Sequence, residues 1–249
     1  MDRPKVRGPT LGIEEGRGGP SLDAAKERIL SCSPLAQLAG PSRRALLDLG
    51  SFERLARRQR LVQQGAPPRH LVLVGAGRVK VERAADGRVI PLGHRGPGDL
   101  VGETALAGEP VASESATVLD EGDALLVPLA GLGRLLAGDA AVRAALAAAL
   151  VARKLETEAR LGSLLLRTVE ARLVDFLRAA ARRWGQPHAA GQLVMAPFTH
   201  ADIAELIGST RETVTLLLGK LKRSGVIAFE RRRIVIRDGE HLAGRAAAT

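Results

Sequence analysis

The chain has 249 residues, a formal charge of +10 and 45% hydrophobic residues, which is enough for one or two domains with buried cores. Aromatic residues make up only 2%, so those cores must be built from Leu, Val and Ala, and the positive surplus favours a polyanionic partner. The single cysteine, Cys32, excludes an intramolecular disulfide and a cysteine-rich zinc or iron–sulfur cage, and a reducing cytoplasm is the expected location.

The opening stretch, MDRPKVRGPTLGIEEGRGGP, has no apolar core of the kind a secretory signal requires. Rich in Gly, Pro and charge, residues 1–22 are expected to form a disordered tail. A helical stretch follows over roughly Ser33 to Leu49, restarting at Pro41-Ser42 and ending at Gly50. From Phe52 to about Pro128 the pattern changes to short apolar segments such as HLVLV (70–74), GRVKVERA (77–84) and GRVIPLG (87–93), separated by regularly spaced glycines. Asp86-Gly87, between two alternating segments, is a hairpin signal. Many short strands with regular turns predict a small β-barrel or double-sheet roll.

From Asp139, a plausible N-cap, to Leu166 the sequence reads as one proline-free helix. Leu146, Leu150, Thr157, Leu161 and Leu164 fall near one stripe. Such a helix would run about 42 Å, longer than one domain's core requires, and predicts pairing with a second copy of itself, the alternative being a helix packed lengthwise on its own barrel. The longest apolar run, AVRAALAAALVA, is interrupted by Arg143 and is too short to span a bilayer, so no membrane association is expected. An amphipathic helix over 168–183 and a Gly/Pro/His loop, WGQPHAAG, come next. Short strands, two short helices and a hairpin, VIAFERRRIVIRD, complete the chain.

Thr199 three residues before Asp202 forms a capping-box pattern, and Gly208 is a fitting helix stop. A second helix begins at Ser209-Thr210, with Ala204, Ile207, Val214, Leu217, Leu218 and Leu221 available for a shared core. Two short helices joined by a tight glycine turn make a helix-turn-helix, whose second helix enters the major groove of DNA. Arg211 has the fork to bond guanine O6 and N7, and Glu212 the acceptor for cytosine N4. Alternatively, Glu212 closes a capping box with Ser209. Ser209, Thr210 and Thr213 suit phosphate or thymine-methyl contacts, while Lys220, Lys222 and Arg223 lie further along, where phosphates would run. Arg231, Arg232 and Arg233 at the hairpin tip read as a wing laid on the backbone, or simply as a solvated turn.

The segment THADIAELIGSTRETVTLLLGKLKRSGVI resembles the DNA-binding signature of the catabolite-activator (CRP/FNR) transcription factors, and its wording is similar to the cyanobacterial nitrogen-control branch. Upstream, GRVKVERAADGRVIPLGHRGPGDLVGETAL is similar to the family's β-roll, including a G-D-x-x-G-E element at Gly98, Asp99, Gly102 and Glu103. The resemblance spans residues 33 to 238. It implies an α+β chain: a disordered tail (1–22), an N-terminal antiparallel β-roll resembling a cyclic-nucleotide-binding domain (23–138), a long dimerisation helix (139–167) and a C-terminal winged helix-turn-helix (168–249). The implied activity is transcription regulation by a cytoplasmic bacterial homodimer on a two-fold operator. The DNA-facing candidates it marks are Thr199, Ser209, Thr210, Arg211, Glu212, Thr213, Thr215, Leu216, Lys220, Lys222, Arg231, Arg232 and Arg233. RNA polymerase is an implied partner, since segment 184–191 lies where family members touch it.

The same resemblance places a small-molecule effector pocket at Gly102, Glu103, Thr104, Glu114, Ser115 and Ala116, with Thr157 on the long helix. Members that bind cyclic AMP carry an Arg before the Ser-Ala pair to hold the phosphate; here Glu114, or Ala112 by another gap placement, stands there. Arg88 and Arg95 sit on other turns and are not expected to point inward, so cyclic AMP is not the expected effector. One cysteine is too few for an oxygen-sensing cluster. His70 and His94 read as ordinary strand or turn residues rather than haem ligands. Leu216 replaces a guanine-reading Arg of the family, so either the operator differs there or Leu216 meets a thymine methyl. No nucleophile elbow, zinc triad, P-loop or dinucleotide fingerprint is present, and no metal site or enzyme is expected. The remaining alternative is a ligand-sensing module acting through a protein partner.

Overall fold

The computed structural model describes residues 21–239. The expected tail therefore lies outside the described residues, save Ser21 and Leu22, which already belong to a helix start. Ser21 Oγ accepts from the Ala24 N–H at 3.2 Å and opens α1, Leu22–Ser31. Periodicity predicts no helix here, because α1 is short and only Ala25, Ile29 and Leu30 turn inward against the sheet. Helix α2, Gly40–Leu49, carries Pro41 in its first turn, where a missing N–H is harmless, and stops at Gly50 as expected.

The roll is an antiparallel sheet of β1 (Ser51–Leu55), β2 (Arg60–Val62), β3 (His70–Ala85), β4 (Arg88–Arg95), β5 (Leu100–Val101) and β6 (Ser115–Pro128). Its order is β1-β6-β3-β4, with β2 added to β6 and β5 to β3. The two segments at 70–74 and 77–84 are one strand, not two. Strand β3 pairs with β6 from His70↔Pro128 to Glu82↔Ser115, with register shifts between Val74 and Val79. Each bulge adds twist, so a 16-residue strand curls and its two halves face each other. Val72, Val74, Val79, Val81, Val118 and Leu126 fill the roll's interior. Leu71, Leu73, Leu125 and Val127 point the other way and are covered by helices. Asp86 (φ 51°) and Gly87 (φ 72°) make the primed turn that joins β3 to β4. A 3-10 turn, Glu103–Ala107, follows Gly102.

The strands do not lead straight into the long helix. Helix α3, Leu129–Gly138, intervenes and meets α4 at 116°. Helix α4, Ala140–Leu166, starts where expected: Asp139 accepts from Ala141 and Val142 N–H at 2.9 and 3.0 Å. The expected stripe divides. Leu146, with Val142, Ala145 and Ala149, is buried on the roll's outer face. Leu164 packs beside Gly208. Val151, Leu155, Leu161, Leu165 and Leu166 are exposed. Among the described residues, no single helix is long and apolar enough to cross a membrane.

Helix α5, Val169–Trp184, is capped by Thr168 and leads into a second sheet. That sheet contains β7 (Gly185–His188), β8 (Gly191–Val194), β9 (Ile227–Glu230) and β10 (Arg233–Ile236), in the order β7-β8-β10-β9. The Gly/Pro/His stretch expected as a loop is thus one arm of a hairpin, with Gln186 opposite Leu193 and Pro187 opposite Gln192. Pro187 is tolerated because β7 is an edge strand. Between the hairpins lie α6, His200–Ile207, and α7, Arg211–Arg223. Leu173, Leu177, Ile203, Val214 and Leu218 form the core of this unit.

Candidate functional site

The turn between α6 and α7 is built from short-range bonds. Thr199 Oγ1 accepts from Asp202 N–H at 3.1 Å, while Asp202 Oδ2 accepts from Thr199 N–H at 2.9 Å. Gly208 (φ +62°) ends α6 in the left-handed region, where a Cβ would meet the Leu164 side chain at 2.9 Å. The N-cap of α7 is Thr210, which accepts from Thr213 N–H at 3.2 Å, and the alternative box between Ser209 and Glu212 is not formed. Glu212 is left exposed on the first turn.

Helix α7 buries Val214, Leu218 and Leu221 against Ile203, Ala204 and Ile207, with Leu217 partly buried beside them. That rotation turns Arg211, Glu212, Thr215 and Leu216 outward on one face. Leu216 is 69% exposed, a large apolar side chain that the monomer does not use. Thr215 Oγ1 donates to Arg211 O at 2.8 Å and lies 2.8 Å from His200 Nδ1, so its orientation is held. Lys220 Nζ reaches the Glu170 carboxylate at 3.2 Å, and Lys222 is exposed. The hairpin tip holds Arg231 (φ 44°) and Arg232 (φ 68°) in the left-handed region, where a residue other than Gly, Asn or Asp costs about 1 kcal/mol. Arg233 begins β10 opposite Glu230.

In the roll, Gly102 (φ 82°) turns the chain so that Glu103 and Thr104 open the 3-10 turn, while Glu114, Ser115 and Ala116 enter β6 buried. Ser115 Oγ accepts from Gln64 N–H at 3.1 Å. Glu103 Oε2, Thr104 Oγ1 and Arg95 Nε are buried without a hydrogen-bond partner among the described residues. The expectation for Arg95 is corrected here. It is only 5% exposed and lies within electrostatic reach of Glu103 and Glu114, with its pKa lowered to about 10 by burial and then by Arg153. Burial and then Glu103 raise the Glu114 pKa. Arg153 on α4 approaches Glu103 at 3.9 Å, and Thr157 stands one turn further along, exposed. Strand periodicity could not show Arg95 pointing inward, because the β3–β4 register shifts between Val81 and Glu82.

The roll also docks onto the C-terminal unit. His94 stacks on Phe198 with ring centroids 5.9 Å apart, and Arg78 lies 4.5 Å over the same ring. Arg78 pairs with Asp120 at 2.8 Å and approaches Asp202 at 3.5 Å, so the roll touches the residue that caps α6. Lys80–Glu205 and Arg183–Asp99 pairs, at 2.8 and 2.6 Å, flank this contact.

His94, expected as an ordinary strand or turn residue, lies in β4 and is buried, and burial followed by Arg78 lowers its pKa to about 3. Its folded pKa lies below the unfolded value of about 6.5, so the stability tied to neutral His94 is present above that value and is lost as pH falls toward 3. Between pH 7 and 5 the loss is expected to be about 2 kcal/mol. Raised pKa values at Asp99 and Glu114 work in the opposite sense. The His94→Phe variant isolates the effect: urea midpoints at pH 7 and 5 should lie closer together in the variant than in the wild type, and an unchanged gap would refute the assignment.

Two family models match the chain, a cyclic nucleotide-binding domain over residues 52–139 and a Crp-like helix-turn-helix domain over 159–245. A CRP-like cAMP-activated global transcriptional regulator of Mycobacterium tuberculosis is 31% identical over 184 residues, covering 74% of this chain and 82% of that protein. The chain belongs to the CRP/FNR family of transcription regulators. Part of this regulator is also similar to the global nitrogen regulator of Synechococcus elongatus, at 42% identity over 87 residues, 35% of this chain and 39% of that one. A solved transcriptional regulator of the CRP family from Thermus thermophilus superposes with a TM-score of 0.64 at 28% identity, covering 78% of this chain and 96% of the other. The regulator carries the family's DNA-binding helix-turn-helix, and its relatives are transcription regulators, not enzymes.

Proposed function

We propose that this regulator acts in the cytoplasm as a homodimer that reads a two-fold operator with α7 in successive major grooves. The observation that carries the reading is the outward face of α7. Arg211, Glu212, Thr215 and Leu216 stand together on one exposed face, held by the Val214, Leu218 and Leu221 side of the same helix. Arg211 would bond guanine, Glu212 cytosine N4 and Leu216 a thymine methyl. Thr199, Ser209, Thr210, Thr213, Lys220, Lys222 and the wing Arg231, Arg232 and Arg233 would hold phosphates. Arg231 and Arg232 occupy a strained turn, which supports a role that outweighs its cost.

The division into roll (23–138), dimerisation helix (139–167) and winged helix (168–249) belongs to the same proposal, as does contact with RNA polymerase near residues 184–191. The dimer reading rests on the exposed apolar residues of α4 beyond Ala149. Binding-site selection on random duplexes tests the whole. A palindromic consensus with half-sites about one helical turn apart is expected. Enrichment of no sequence would instead favour a module that acts through a protein partner.

We further propose that operator binding does not require cyclic AMP. Arg95 is one inward cation, but Glu103 and Glu114 lie within its electrostatic reach, and the residue aligned with the phosphate-holding Arg of members that bind cyclic AMP is Glu114, or Ala112 by the other gap placement. A single phosphate charge buried beside that carboxylate would lose several kcal/mol of binding, enough to move a micromolar affinity toward millimolar. Calorimetry should find no micromolar cyclic AMP binding to the wild type and a gain of at least tenfold in Glu114→Arg. A micromolar wild-type dissociation constant would overturn the proposal.

A further inference from the structure

A cleft of about 950 Å³ opens between β4, the middle of α4 and the outer face of α5, on the side where the roll meets the C-terminal unit. Seven arginines line it against two carboxylates, Glu156 and Asp175. They come from three elements: Arg95 from β4, Arg153 and Arg160 from α4, and the others from α5. Several are committed in place. Arg160 donates to Leu92 O at 2.7 Å and Leu206 O at 3.1 Å, and Arg172 to Leu164 O at 3.0 Å. Arg178 and Arg182 are exposed, stand one helical turn apart, and form no ion pair among the described residues. Like charges at that spacing repel, so their gathering is unfavourable without an anion.

Two further observations mark the cleft as a site. Arg95 and His94, both more than nine-tenths buried, line it with Nε and Nδ1 lacking hydrogen-bond partners among the described residues. Trp184 lines it too, with Nε1 buried and unpartnered, beside Phe176 and Phe198. Guanidinium forks match phosphate oxygens, and an aromatic wall offers a face for stacking a base.

We propose that this cleft binds a nucleotide carrying at least two phosphate groups. Arg178 and Arg182 would take the phosphates, Arg153 would join them by exchanging its Glu156 partner for a phosphate oxygen, and the Trp184 wall would take the base. Such a ligand would bridge β4, α4 and α5 and so hold the roll and the C-terminal unit in one relative orientation. This site differs from the Glu103–Glu114 pocket in the roll, although Arg95 and Arg153 border both and Thr157, a candidate of that pocket, lines the cleft.

Trp184 is the only tryptophan in the chain, so its fluorescence reports this cleft directly and without DNA. In the full-length protein, ATP and GTP are expected to produce a saturable change with a midpoint in the micromolar range. The Arg178→Glu/Arg182→Glu double variant, altered only at exposed side chains, should weaken that midpoint at least tenfold. A charge-matched control, Arg44→Glu/Arg57→Glu, should leave it unchanged. Cyclic AMP, with one charge, should bind at least tenfold more weakly than ATP. No fluorescence change or calorimetric heat up to millimolar nucleotide would overturn the proposal, as would equal binding by the double variant. Inorganic triphosphate binding as tightly as ATP would overturn the nucleotide assignment. Loss of operator affinity in the double variant, with no nucleotide binding by the wild type, would reassign the arginines to DNA phosphates and sink the idea. Failure of operator selection would leave the fluorescence result untouched, so the two readings fail separately.

Discussion

Replacing Leu155 and Leu165 with glutamate is expected to convert the regulator into a monomer and to abolish high-affinity operator binding. The two leucines are 58% and 73% exposed in the single chain, and Val151, Leu161 and Leu166 lie along the same outward half of α4. Ala159 and Gly162 lie between them, small enough for two helix backbones to approach closely. Burying a leucine contributes about 1.5–3 kcal/mol, and a two-fold interface counts each position twice. Glutamates there would remove that contribution and bring like charges together in a dry seam.

A monomer retains one half-site. Losing the second, tethered half-site lowers apparent affinity by roughly 10² to 10⁴-fold. Sedimentation should show a wild-type dimer and a variant monomer at micromolar concentration, with unchanged circular dichroism because neither leucine supports the monomer's core. A monomeric wild type would refute the dimer. Leu164, although on the same sequence stripe, packs near Gly208 within its own chain, so altering it would disturb the helix-turn-helix as well.

The second large effect separates base reading from backbone holding. Arg211→Ala should cost roughly 1–3 kcal/mol on the selected operator, a loss of about 5- to 160-fold, and should relax preference at one base pair of each half-site. Affinity for random duplex should change far less. Arg232→Ala should behave in the opposite way, weakening all sequences alike and reducing the slope of log affinity against log salt by about one. Titrations of both variants on operator and random DNA over a range of salt would check this. Equal losses on the two DNAs for Arg211→Ala would show that the helix is not placed in the groove as proposed.

Several features of this regulator are local and were legible in the residues alone. Asp86-Gly87, the Asp139 cap of α4 and the Thr199–Asp202 box each depend on groups within three residues of one another, and each forms as expected. The shared core of α6 and α7 was legible for the same reason, since helical spacing alone puts Val214, Leu218 and Leu221 on one side. The Ser209–Glu212 box failed by a single residue, because Thr210 offers an equivalent hydroxyl one position nearer the helix. Short elements stabilised by distant partners were not legible. Helices α1 and α3 hold their places by packing on the roll's outer face, and β7 exists because β8 pairs with it.

Orientation across elements was decided only by the tertiary structure. Bulges between Val74 and Val79 make one curled strand out of two apparent ones, and the shift at Val81 places Arg95 inside the roll although its neighbours in sequence read as a turn. The faces of α4 also follow from what surrounds them: α2 and α3 cover its first turns, Gly208 takes Leu164, and Leu155 and Leu165 are left uncovered. Residue spacing determined that α4 is a helix with an apolar stripe and that α7 carries Arg211 and Glu212 in its first turn. Which side of each helix meets its own chain, and which is left for a partner, depended on contacts between residues far apart in sequence, where no local pattern records the register.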